Sequence, residues 1–171
     1  MKSLIVSICI VGMIGAIIGI TAWSADTGAI NATVTARNLS INLTTGGAVA
    51  FGTLDLSGVT TTDPSSDIYD LETFNNNGSL AKFQIKSINT TGGSTPWAPG
   101  AVAASNVYVL AFTTTTAVTW QILDTVNTYE TATSSIEAGV DLNVYLQFQA
   151  PSASTEYAQK TVPITVQAVS P

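Results

Sequence analysis

The sequence predicts an all-β protein, a two-sheet β-sandwich of jelly-roll or immunoglobulin-like type with an N-terminal extended arm. After residue 28, apolar and polar residues alternate with a period of two, and no stretch of a dozen residues carries a helical stripe. Gly, Pro and Asn-Gly turn signals separate the alternating runs. About eight or nine short strands with such spacing are typical of a sandwich.

The N-terminus predicts export from the cytoplasm. One lysine precedes an uncharged apolar run of 17 residues, 4–20, and small residues follow at Ala22 and Ser24. These are the parts of a secretory signal, so residues 1–24 are predicted to be a signal peptide cleaved before Ala25. Two alternatives stay open: a retained membrane anchor, and a hydrophobic helix kept as in type IV pilins or archaellins. All three place the remaining chain outside the cell or at its surface.

Alternating runs after the arm predict the strands of a sandwich domain, residues 39–171. In chain order these runs are 39–43, 49–56, 68–74, the run around Phe83 and Ile85, 107–112, 119–123, 140–148 and 162–168. The Asn-Gly pair at Asn77 and Gly78 accepts positive φ and predicts a turn, and the Gly- and Pro-rich stretch 91–100 predicts a connection. The run 107–112 is apolar on both faces, which indicates a central strand.

The alternation changes phase at Arg37-Asn38. Apolar residues before this point occupy even positions, and those after it occupy odd positions; the two sets are Ile30, Ala32, Val34 and Ala36, and Leu39, Ile41 and Leu43. One continuous strand cannot bury both sets on the same face. The change predicts either a bulge in an edge strand or an independent arm, residues 25–38, that is separable from the domain beginning at Leu39.

The composition argues against an enzyme and against a nucleic-acid partner. The chain has no His, and its single Cys, Cys9, lies in the N-terminal apolar run, so His catalysis, His-ligated zinc and a disulfide framework are excluded. Only 9% of the residues are charged, and 26 Thr and 16 Ser supply most of the polar surface. A net charge of −6 repels the phosphates of nucleic acids.

The densest acidic cluster is a candidate calcium site. It consists of Asp63, Asp67, Asp70 and Glu72, and carboxylate oxygens are the ligands that Ca²⁺ prefers. The spacing does not match an EF-hand loop, and a solvated acidic loop is the alternative. Calcium is the one cofactor that the sequence leaves open.

Two further features concern the surface. Five Asn-X-Ser/Thr sequons are candidate glycosylation sites in a host that makes N-glycans: Asn31, Asn38, Asn42, Asn77 and Asn89. Trp97, in a Pro-rich loop, is either a platform that stacks on sugar or a loop anchor packed on the sandwich. A secreted carbohydrate-binding or adhesive sandwich is therefore the alternative function.

Three short motifs carry a family resemblance. Residues 23–27, Trp-Ser-Ala-Asp-Thr, look like an aromatic-Ser-Asp-Thr junction with one inserted Ala. The second motif is Gly-Thr-Leu-Asp-Leu at residues 52–56. The third is the Asn-rich turn 76–80 that precedes the run around Phe83. Together they resemble the TasA and camelysin-like secreted fibre proteins of biofilm matrices and the related archaeal bundling-pilus subunits.

The resemblance implies donor-strand assembly, in which the arm of one subunit completes a sheet of the next. Its donor side chains would be Ile30, Ala32, Val34 and Ala36. The implied function is a structural subunit of an extracellular filament or pilus, a homopolymer with a role in biofilm or cell-cell adhesion. Neighbouring filaments and cell-surface glycans are its other expected partners. The metalloprotease activity described for camelysin-type proteins is not expected, because the chain has no His.

We predict that the mature protein begins at or near Ala25, because Ala22 and Ser24 satisfy the small-residue requirement of signal peptidase. Mass spectrometry of cell-surface material measures this directly. A chain beginning at Leu4 would instead favour the type IV pilin alternative, and an intact Met1 would favour the membrane anchor.

Overall fold

The structure is a computed structural model, and it describes Val34 and residues 36–66, 68–115 and 119–171. The chain forms two compact units, and the boundary lies between Thr35 and Ala36. The β-strands belong to the second unit, Ala36–Pro171. The predicted signal peptide, 1–24, and most of the predicted arm lie outside the described residues. Where the arm ends and the domain begins therefore stays a prediction.

Ten β-strands make up the described part of the chain, which contains no helix. In chain order they are β1 Asn42–Thr45, β2 Val59–Thr61, β3 Glu72–Asn75, β4 Ala81–Ser87, β5 Ala98–Pro99, β6 Val107–Thr113, β7 Gln121–Ile122, β8 Glu130–Ile136, β9 Asp141–Gln149 and β10 Ile164–Val169. The predicted fold class, an all-β sandwich of two sheets, is confirmed.

The two sheets differ in width. The larger sheet has seven strands in the order β1-β3-β9-β6-β5, with β2 also paired to β9 and β7 also paired to β6. The smaller sheet has three, in the order β10-β4-β8. β2 and β3 pair with successive parts of β9, since Val59 lies opposite Gln149 and Glu72 lies opposite Val144.

β4 contributes every second residue to the core. Ala81, Phe83 and Ile85 are almost completely buried, whereas Lys82 and Gln84 between them are half-exposed. β6 is buried from Tyr108 to Thr113, with β9 on one side and β5 and β7 on the other. Such a position buries both faces of the strand, as its apolar sequence predicts.

Cross-strand register places the inner residues of β10 on the core. Val166 pairs with Ile85 and Ala168 with Phe83, and cross-strand partners lie on one face of a sheet. Ala168 packs with Phe83 and Ile41 in one hydrophobic cluster, while Ile164 and Val166 pack against a second cluster that contains Leu110 and Phe112. The inner face of β10 therefore points toward the larger sheet.

The structure differs from the prediction at several strands. β2 and β5 lie outside the predicted runs, and β5 falls within the stretch 91–100 that was predicted as a connection. β1 begins at Asn42 rather than Leu39, because the Asn38 carbonyl accepts a hydrogen bond from the Ser79 amide at 2.6 Å instead of joining a ladder. Residues 49–56, predicted as a strand, form none, since Gly46, Gly47 and Gly52 adopt positive φ values of 93°, 120° and 71° that break extended geometry. β8 has no alternating apolar pattern and was not predicted.

Candidate functional site

The free edge of β10 is the first part of the candidate site. Within the described chain, β10 pairs only with β4, so the backbone groups on its other side have no ladder. Its pairing with β4 runs through six consecutive residues without a bulge. The strand, Ile-Thr-Val-Gln-Ala-Val, holds neither a charge nor a Pro. A regular, uncharged edge of this kind is a template for pairing with another strand.

The opposite edge of the same sheet is protected. β8 pairs with β4 through two register shifts, and it begins at the charged residue Glu130. Bulges and charges are the usual means by which proteins prevent pairing at an edge strand. β10 shows neither, so the two edges of one small sheet are built differently.

The inner face of β1 is the second part of the candidate site. Leu43 lies opposite Phe74 of β3, and Phe74 packs against both core clusters, so Leu43 also faces inward. Leu43 is nevertheless 40% exposed. The smaller sheet ends at β10, whose outer edge is unpaired among the described strands. We call the free edge of β10, together with the inner faces of β1 and β3, the acceptor groove.

Residues 48–54, which we call the cover, lie against the core between β1 and β2. Val49, Phe51 and Leu54 pack against the cluster that Ile164 and Val166 also contact. The ring of Phe51 stacks on Phe148 with centroids 5.3 Å apart and an interplanar angle of 20°. No backbone hydrogen bond joins residues 48–54 to the described part of the chain. The cover is therefore held by side-chain packing.

A cleft of about 610 Å³ lies on another side of the cover. Residues 51–54 form one wall, and β2 together with Ser65, Ser66 and Ile68 forms the rest. β2 pairs with β9 only, so its second edge is also without a ladder among the described strands. One side of the cover therefore borders an open cleft instead of a second packed layer.

Glu72 is a buried acid at the base of the cover. Its residue is only 7% exposed, and its Oε2 accepts a hydrogen bond from the Gly47 amide at 2.8 Å. Its Oε1 is buried without a hydrogen-bond partner among the described residues. Burial raises the pKa of Glu72; the Gly47 bond opposes this rise, and the negative charge of Asp70 adds to it.

The predicted donor residues are only partly within the described chain. Val34 is 95% exposed and Ala36 is also exposed, whereas Ile30 and Ala32 lie outside the described residues. Just after this stretch, the Arg37 guanidinium donates to the Ser170 hydroxyl at 2.8 Å. Ser170 directly follows β10, so the chain enters the domain beside one end of the free edge.

The predicted calcium ligands serve different roles where they are described. Asp63 accepts hydrogen bonds from Ser65 and Thr61 within its own loop, and these bonds lower the pKa of Asp63. Glu72 is buried beside Gly46 and Gly47, and Asp67 lies outside the described residues. The described residues contain no group of three ligand-type side chains that could hold a metal ion.

The sequon side chains are accessible wherever they are described. Asn38, Asn42, Asn77 and Asn89 are all exposed, and Asn31 lies outside the described residues. Exposure is the physical requirement for a bulky surface glycan, so these four positions could each carry one.

Trp97 is a loop anchor rather than an open sugar platform. Its indole N–H donates to the Ser154 hydroxyl at 3.1 Å, and the ring packs against the core. The Lys160 ammonium lies 5.9 Å from the ring centroid and forms a 2.6 Å ion pair with Glu156. The Glu156 carboxylate also accepts hydrogen bonds from the Ser94 and Thr95 amides. The Lys160 bond, followed by these two bonds, lowers the pKa of Glu156 to about 2.

Comparison with known proteins leaves the family resemblance as a prediction. The chain matches no protein-family model, no curated protein and no solved structure. Among the described residues, no helix combines the length and the apolar character needed to cross a membrane.

Sequence reasoning missed the acceptor groove. It predicted an arm that pairs with another subunit, but it did not predict that one edge of β10 is left unpaired among the described strands. The signal was present in part, because 164–169 alternates without charge or Pro. Which side of β10 remains unpaired is a property of topology, and the sequence of the strand does not contain it.

We predict that Glu72→Gln raises the melting temperature at pH 7. The pKa of Glu72 is raised in the folded state, so ionisation destabilises the fold as the pH rises through the unfolded value of 4.5 and beyond. The substitution removes the buried charge and keeps an oxygen that can accept from Gly47. The gain should vanish below the unfolded pKa, where wild-type Glu72 is protonated in both states.

Thermal melts at pH 7 and pH 3.5, followed by circular dichroism, measure this effect. Glu137→Gln, at an exposed acid near the turn between β8 and β9, is the matched control and should change little at either pH. A lower melting temperature for Glu72→Gln at pH 7 would show that the buried carboxylate is stabilised rather than strained.

Proposed function

We propose that the protein is a structural subunit of an extracellular filament or pilus. Each copy polymerises by inserting its N-terminal arm into the acceptor groove of the next copy. The observation that carries this proposal is the regular, uncharged free edge of β10 beside the uncovered inner face of β1. The even-phase apolar residues of the arm supply a strand with one apolar face to fill it.

The dimensions of arm and edge agree. The alternating stretch from Ile30 to Ala36 has seven residues, and β10 has six. At about 3.3 Å per residue, each spans roughly 20 Å in extended conformation. Main-chain hydrogen bonds to β10 would supply affinity, and side chains at alternate positions would enter the groove.

Contact between the arm of one copy and the acceptor groove of the next would build an open filament. The arm and the groove are different surfaces of one chain, so their contact is heterologous and repeats without closing unless the rotation forms a ring. A net charge of −6 and a surface rich in Ser and Thr suit an exposed extracellular polymer. The predicted signal peptide supports the extracellular location. A role in biofilm or cell-cell adhesion remains the biological expectation from the resemblance.

The alternative, a secreted carbohydrate-binding or adhesive module, has less support. Such a module needs exposed aromatic rings on which sugars stack. The Trp97 indole is hydrogen-bonded to Ser154, and the exposed Tyr69 and Tyr157 lie in separate loops. The pilin-like alternative depends on residues 4–20 and is decided by the mature N-terminus.

We expect a chain truncated to begin at Leu39 to remain soluble and β-rich but to form no fibres. The truncation removes the arm and leaves every described strand in place. An added peptide of residues 26–36 should then stabilise the truncated domain by about 2.7 kcal/mol at a hundred times its Kd, because it binds the folded state. Electron microscopy and thermal melts measure the two effects, with the chain beginning at Ala25 as control. Fibres from the truncated chain would contradict donor-strand assembly.

A second prediction separates the two faces of the arm. Ile30→Asp and Val34→Asp should each abolish polymerisation, because an aliphatic side chain worth about 1.5–3 kcal/mol is replaced by a charge without a partner. Asn31→Asp and Thr33→Asp are matched controls on the opposite face and should be much milder. A sedimentation assay of refolded monomers compares the four variants.

Equal effects on both faces would mean that the arm does not fill a groove. Loss of the fold of the monomer in Val34→Asp would mean that the arm is the first strand of its own domain.

A further inference from the structure

We propose that residues 48–54, the cover, regulate the acceptor groove. In the free subunit the cover is seated on the core, and it leaves this position when the arm of another copy enters. This inference rests on the proposed function, because it concerns the same groove. It assigns to a non-strand segment the role of competing with the arm.

The first support is the way in which the cover is attached. No backbone hydrogen bond holds residues 48–54 to the described chain, whereas the segments on either side are held firmly. β1 pairs with β3, and beyond the cover the Ser57 amide donates to the Pro151 carbonyl at 3.0 Å. The cover can therefore move without breaking a ladder, and its neighbours stay in place.

The second support is backbone freedom before the cover and within it. Gly46 and Gly47 precede the cover with φ values of 93° and 120°, and Gly52 within it has a φ of 71°. Glycine adopts these angles and their alternatives without steric cost, so the segment is built to change direction.

The third support is a shared hydrophobic cluster. Val49, Phe51 and Leu54 pack against the same core cluster as the inner residues Ile164 and Val166 of β10. A strand added to the free edge of β10 would direct its own inner side chains toward that cluster. The cleft of about 610 Å³ between the cover and β2 provides adjacent space for the displaced segment.

The exchange has a clear driving force. The cover offers three apolar side chains and no backbone hydrogen bonds, whereas the arm offers apolar side chains and a backbone that can pair along the six residues of β10. An entering arm thus replaces apolar packing with similar packing and adds a ladder. Only subunits whose cover is open can bind an arm. Because these subunits are a fraction of the total, the apparent affinity for the arm is lower than the affinity of the open form.

The test uses the full mature chain carrying Ile30→Asp, which disables its own arm and leaves its groove free. A fluorescein-labelled peptide of residues 26–36 is titrated, and anisotropy gives its Kd. Adding Gly52→Ala strains the seated cover through the backbone alone, since a Cβ there meets no atom within 4 Å while φ is 71°. We expect Gly52→Ala to tighten the peptide Kd about fivefold, as the open fraction rises.

Gly139→Ala is the matched control. Gly139 has a φ of 78°, and a Cβ there also meets no atom within 4 Å, but it lies in the turn between β8 and β9. This variant should leave the peptide Kd unchanged. Leu54→Ala removes a cover side chain without changing the backbone and should tighten the Kd in the same direction as Gly52→Ala, which keeps the test valid if one variant folds poorly.

The outcomes separate the two proposals. An unchanged Kd in both cover variants, with the peptide still bound, overturns the role of the cover and leaves donor-strand assembly standing. Weaker binding in the cover variants also overturns it, because residues 48–54 would then be part of the occupied groove. Absence of peptide binding in every variant overturns donor-strand assembly itself and the cover with it.

Discussion

The unequal width of the two sheets is the constraint on which the rest of the structure depends. A sandwich is stable when each sheet buries its apolar face against the other, and here the smaller sheet ends at β10 while the larger continues to β1. Leu43, on the inner face of β1, is left 40% exposed. The cover packs against the core, and no ladder joins it to the described strands. The free edge of β10 is thus a property of the whole architecture rather than of one loop.

Most buried polar groups of the domain have hydrogen-bond partners. The buried Asn76 side chain donates to the Ser79 and Ile136 carbonyls, and the buried Tyr108 hydroxyl donates to the Ile88 carbonyl at 2.8 Å. Burial also raises the pKa of Tyr108 to about 12, so it remains a neutral donor. Among the described residues, Glu72 Oε1 and Ser87 Oγ are the buried side-chain atoms without a partner. Of these two groups only Glu72 is ionisable, so its burial is the more costly.

The sequence predicted those parts of the fold in which local pattern and tertiary position coincide. Phe83 and Ile85 alternate with Lys82, Gln84 and Lys86 because β4 is buried on one face, and 107–112 is uniformly apolar because β6 is central. It failed for β8, whose Thr- and Ser-rich strand is fixed by pairing with β4, and for 49–56, where apolar alternation is overridden by glycine conformations. The change of phase at Arg37-Asn38 predicts an arm from the sequence alone, whereas the free edge of β10 depends on which side of the strand the topology leaves unpaired.

Glycine at the end of β1 determines whether the following residues can join a sheet. If β1 continued past Thr45 in extended conformation, it would run toward the unpaired edge of β2 and would form a ladder there. Gly46 and Gly47 turn the chain out of the sheet, and a Cβ at Gly46 would lie within 2.5 Å of the Glu72 carboxylate. The buried acid therefore favours glycine at this position, and glycine keeps the following segment free of backbone pairing. The proposed exchange between the cover and an arm depends on this freedom.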